Sequence, residues 1–79
     1  MPVGDAETTR LAHREISRRF IDTTKLDVKA MHGVVYLRGQ IKKLRGHEVD
    51  LKHEMEIIHR VLRSKPGIRD VIIDVDFKG

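Results

Sequence analysis

Leu26-Asp27-Val28-Lys29-Ala30-Met31-His32-Gly33-Val34-Val35-Tyr36-Leu37 is the stretch that decides the fold. Its first half alternates, Leu26, Val28 and Ala30 against Asp27 and Lys29, which is the period of a strand with one buried face. His32-Gly33 then supplies a tight reversal, because glycine tolerates the positive φ that hairpin turns require. A second strand resumes at Val34, with Val35, Leu37 and Ile41 sharing the core face. Gly39 within it predicts a bulge or a close backbone approach by a packed helix.

Working outward, Ile41 to His47 reads as a basic connection ending at Gly46, and a helix follows from about Glu48 to Ser64. Leu51, Met55, Ile58 and Leu62 fall at i, i+4, i+7 and i+11 and make one apolar face. Glu48 and Asp50 lie near its N-terminus and Arg60 and Arg63 near its C-terminus, as the macrodipole prefers. Pro66-Gly67 terminates it. Val71, Ile73, Val75 and Phe77 then alternate with Asp70, Ile72, Asp74 and Asp76, giving a third strand with an acidic outer face. Upstream, Ala12, Ile16 and Phe20 recur every four residues and predict a first helix from Asp5 to about Asp22, whose other side carries Arg10, Arg14 and Arg18 in one row. The order helix, strand, strand, helix, strand predicts an α+β two-layer sandwich, a small mixed three-stranded sheet with both helices on one face. The expected core is Ile16, Phe20, Val28, Val35, Leu37, Leu51, Met55, Ile58, Leu62, Val71, Ile73 and Val75.

At 79 residues the chain is expected to form one domain, 1–79, with its core from about residue 5 to 77. The absence of cysteine excludes disulfides, thiolate metal sites and a cysteine nucleophile. The longest apolar run is four residues, Val34 to Leu37, far from the roughly 20 that span a bilayer. Asparagine is absent while Lys, Arg, Asp and Glu are plentiful, a bias of heat-adapted proteins. The net charge of +4 is concentrated: residues 26–47 carry five basic side chains and one acidic. Arg38, Lys42, Lys43 and Arg45 make that segment basic, and His32 and His47 add charge at mildly acidic pH.

The hairpin with its turn glycine and Leu37-Arg38-Gly39, followed after a helix by Pro66-Gly67-Ile68-Arg69-Asp70-Val71, resembles the BON domain, a family named for bacterial osmotically inducible and nodulation proteins. The resemblance runs from about Leu11 to Phe77. Gly39 and Gly67 lie 28 positions apart here, more than the family's usual spacing. What the resemblance implies is an αββαβ fold without catalytic residues, periplasmic or membrane-associated, in contact with phospholipid surfaces or partner proteins. A chain that truly starts at Met1 is expected in the cytoplasm instead.

No metal site is expected, because His47, His53 and His59 are spaced six apart and spread around a helix. Glu56-Ile57-Ile58-His59 matches a di-iron Glu-x-x-His, but such sites need a second copy and further glutamates. Ser17, Ser64 and the threonines lack a nucleophile-elbow context, so no catalytic residue, cofactor or enzymatic activity is expected. Asp70, Asp74 and Asp76 read as a charged strand face that discourages aggregation. Nucleic acid is not the expected ligand, since no Gly-x-x-Gly loop occurs and Tyr36 alone could stack a base. The expected function is a binding module that touches anionic phospholipid through Arg38, Lys42, Lys43 and Arg45, helped by Arg10, Arg14 and Arg18. The alternative is a protein-interaction or homodimer module that uses Val34, Tyr36 and Ile72 on the uncovered sheet face.

Overall fold

The computed structural model describes residues 4–46 and 48–78. Helices α1 (Asp5–Ser17) and α2 (Leu51–Arg63) cover one face of a sheet made of β1 (Ile21–Asp22), β2 (Leu26–Met31), β3 (Val34–Lys43) and β4 (Asp70–Lys78). β3 is the spine: β1 and β2 pair antiparallel along one side of it, and β4 pairs parallel along the other. The α+β class and the mixed sheet are those the sequence predicts, with the two-residue β1 as a fourth strand.

The hairpin turn is built as the sequence demands. His32 has φ 52° and Gly33 φ 81°, the pair of positive values that matches a two-residue reversal to strand twist. The Arg69 N–H donates to the Gly33 carbonyl at 2.7 Å, tying this turn to the start of β4. Gly39 marks a second local device. The step from Asp22 to Leu26 is four residues while the facing step from Lys42 to Gly39 is three, so the register slips by one. There the Gln40 N–H donates to the Lys25 carbonyl at 3.1 Å. Gly39 takes φ 111°, and a Cβ on it would collide with that same carbonyl. The close approach comes from the lead-in to β2, not from a helix.

Several expectations need correction. α1 ends at Ser17 instead of near Asp22, and Phe20 is 56% exposed. Past Ser17 the chain has left the helix, so the i, i+4 spacing no longer carries Phe20 onto the core-facing stripe of Thr8, Ala12 and Ile16. Ile21 is buried in its place, because extended backbone at β1 pairs it with Lys43. The first three residues of the segment read as a basic connection are strand, since β3 runs through Lys43 with Ile41 fully buried. α2 starts at Leu51 rather than Glu48, because the Asp50 side chain caps it by accepting the Lys52 and His53 N–H groups.

Ala12, Ile16, Val28, Val35, Leu37, Leu51, Met55, Ile58, Leu62 and Val71 form one buried cluster with Ala30, Ile41 and Ile68. Ile73 and Val75 are only half-buried against it and Phe77 is exposed. β4 is an edge strand, and α2 shields its inner flank but not its outer one. Among the described residues two polar side chains are also buried. The Thr8 hydroxyl donates to the Gly4 carbonyl at 3.1 Å. Glu54, 5% exposed, receives a two-pronged Arg19 guanidinium, Nε to Oε1 at 3.2 Å and Nη2 to Oε2 at 2.6 Å.

Candidate anion-binding and docking surfaces

Alternation along β3 sorts its cations. Tyr36, Arg38 and Lys42 stand on the face away from the helices, because Val35, Leu37 and Ile41 are buried beneath α1 and α2. Arg38 has Asp27 opposite it on β2 and Asp74 opposite it on β4. Its Nε lies 4.0 Å from the Asp74 carboxylate, with both side chains exposed. Arg38 therefore forms the middle of an acid–base–acid row and adds little net positive potential.

The end of β3 is different. Lys42, Lys43 and Arg45 are exposed within four positions of one another. Lys43 lies 3.7 Å from Glu48, which is itself 95% exposed. Among the described residues, neither Lys42 nor Arg45 has a carboxylate within ion-pair distance. Asp22 faces Lys42 in the ladder. The Thr24 N–H and hydroxyl, donating to Asp22 at 2.9 and 2.7 Å, hold its carboxyl below the usual range, with smaller help from Lys42 and Lys25. His47 lies outside the described residues.

The α1 arginines occupy the opposite layer. Thr8, Ala12 and Ile16 face the sheet, so Arg10 and Arg14, two positions further on, point about 200° away into solvent. Arg18 lies 3.4 Å from Glu15, which also receives Lys65 at 3.5 Å. The sequence groups seven cations; the fold separates Arg10, Arg14 and Arg18 from Arg38, Lys42, Lys43 and Arg45.

Val34, Tyr36 and Ile72 are brought together. Tyr36 is opposite Ile72 and Val34 opposite Met31, and Met31, Tyr36 and Ile72 are 42%, 36% and 43% exposed. They make a continuous apolar area on the open sheet face, bounded by the Arg38 row.

Two features escaped the sequence reading. The Arg19–Glu54 pair was signalled by an acid at 54 within the apolar stripe of α2, where a buried carboxylate demands a partner. A groove of about 860 Å³ runs between α2 and the outer flank of β4, floored by Met55, Ile73 and Phe77 and edged by Lys52, Glu56, Arg60 and Arg63. Among the described residues no cluster of three or more His, Asp or Glu could hold a metal ion. His53 and Glu56 lie 4.0 Å apart on exposed helix surface. Comparison with protein-family models, curated proteins and solved structures returns no match for this chain.

Proposed function

We propose that this domain is a non-enzymatic binding module that docks the end of its sheet on an anionic phospholipid surface. The observation that carries this reading is the cluster of Lys42, Lys43 and Arg45 at the end of β3, two of them without a carboxylate within ion-pair distance among the described residues. Exposed Phe20 lies one residue before Ile21, which pairs with Lys43, and so adds apolar surface at the same end. The likeness of the hairpin and the Pro66-Gly67 segment to BON domains accords with it. Each basic side chain near an anionic leaflet contributes about 1 kcal/mol, so three give weak, reversible, salt-sensitive adsorption without insertion.

Co-sedimentation with phosphatidylglycerol or phosphatidylcholine vesicles at 50 and 300 mM salt tests this. Binding to the anionic vesicles alone, lost at high salt and surviving an RNA competitor, supports the reading. Equal absence of binding to both removes it.

A second reading rests on the apolar area of Met31, Val34, Tyr36 and Ile72: association with a second copy or another protein through the open sheet face. Tyr36→Asp then dissociates the assembly. Light scattering that shows a monomer at high concentration in low and high salt excludes the homodimer.

A further inference from the structure

The two edges of the sheet are not alike. On β2 the outward N–H groups of Ala30 and His32 donate to Thr9 Oγ1 and Asp5 Oδ1 of α1, both at 3.1 Å, so the first helix closes that edge. β4 pairs only with β3 among the described strands, and no described strand pairs with the other edge of its nine residues; at its start the Val71 N–H donates to the Asp70 carboxylate at 2.8 Å. A long unpaired edge is a template for another strand. Beside it lies the groove over Met55, Ile73 and Phe77, with Phe77 45% exposed.

The side chains of β4 state what such a strand must carry. On the open face Asp70, Asp74 and Asp76 are exposed. Residues directly opposite in an added strand share a face, so this row calls for lysine or arginine at alternate positions. On the other face the partner's intervening side chains fall into the groove. Its apolar floor favours aliphatic residues there, and on its rim the cations Lys52, Arg60 and Arg63 outnumber the one carboxylate, Glu56, so a basic row is disfavoured. A second copy of the same edge does not fit. In two-fold antiparallel pairing of β4 with itself, every register of useful length sets an aspartate against an aspartate, which is destabilising.

We propose that the β4 edge binds an extended peptide segment by strand addition, with alternating basic and aliphatic residues, the basic row on Asp70, Asp74 and Asp76 and the aliphatic row in the α2 groove. Main-chain hydrogen bonds supply affinity, and the two rows of side chains supply orientation.

The probe is a synthetic nine-residue peptide alternating lysine and valine with blocked termini. It is titrated into the full chain while backbone amide exchange and fluorescence anisotropy are followed. Expected are slowed exchange confined to β4, loss of binding when alternate peptide amides are N-methylated, and at least tenfold weaker binding to the Asp74→Lys, Asp76→Lys double variant. Both aspartates are exposed, so that variant keeps the fold. No binding overturns the proposal. So does binding indifferent to N-methylation, which is ionic adsorption only, protection at β2 instead of β4, or tighter binding of a peptide with glutamate in place of lysine.

Discussion

Glu54 is the residue on which the packing of the two helices is most exposed to damage. A carboxylate with 6% side-chain exposure is tolerable only because Arg19 meets both of its oxygens. The two partners are unequal, since Arg19 keeps a third of its side-chain surface in solvent. Arg19→Ala strands a buried anion and is expected to cost about 3 kcal/mol, whereas Glu54→Ala releases a guanidinium that turns to water and costs about 2. Urea midpoints of the two variants check the order, and a larger loss for Glu54→Ala contradicts the burial argument. Asp22 works at the surface. Its carboxyl is held below the ordinary 3.8 mainly by the Thr24 N–H, then by the Thr24 hydroxyl. A depressed folded value adds stability above 3.8 that disappears as pH falls through the folded value. Thr24→Val removes the hydroxyl, so the Asp22 midpoint in a carboxylate NMR titration moves up toward 3.8, and the acid limb of the stability curve shifts to higher pH.

Among the elements, the β1–β2 junction depends on one glycine. Gly39 has φ 111° and leaves room for no Cβ beside the Lys25 carbonyl. Gly39→Ala combines backbone strain with that collision and is expected to cost about 3 kcal/mol or more. Faster amide exchange in β1 and the facing end of β3 reports it, and an unchanged denaturation midpoint refutes it. The elements differ in how plainly the sequence announces them. α2 is legible because Leu51, Met55, Ile58 and Leu62 hold one register over its whole length, β2 and the first part of β3 because period two is kept on both sides of His32-Gly33, and β4 because Val71, Ile73 and Val75 alternate with Asp70, Ile72, Asp74 and Asp76; the end of β3, from Ile41 to Lys43, was read as a connection. β1 is not legible, since two residues carry no period and their pairing depends on Lys42 and Lys43, some twenty positions away. The end of α1 was obscured by Phe20, which continues the i+4 spacing after the helix has ended at Ser17. Of the surface residues, Val34, Tyr36 and Ile72 were readable as neighbours because alternation fixes a face. The α2 groove was not, because it depends on how far α2 sits from the outer flank of β4.

For the whole molecule, the decisive property is where charge lies relative to the two layers. Composition gives one number, +4, and long-range attraction to an anionic surface follows net charge. Close adsorption follows geometry instead, because potentials fall off within a Debye length of about 8–10 Å. A flat surface that touches Lys42 and Arg45 at the end of the sheet does not also touch Arg10 and Arg14, which point away from the sheet on the far side of α1. Two double reversals separate these effects. Lys42→Glu with Arg45→Glu, and Arg10→Glu with Arg14→Glu, each replace two cations by two anions and take the formal charge from +4 to zero. All four positions are exposed, so neither pair disturbs the core. The reading through the sheet end predicts that the first pair lowers the partition onto phosphatidylglycerol vesicles roughly a hundredfold or more, since each reversal removes about 1 kcal/mol of attraction and adds repulsion. The second pair keeps most of the binding. Equal losses would mean that net charge alone governs adsorption, and a larger loss from the α1 pair would move the contact to the helical layer.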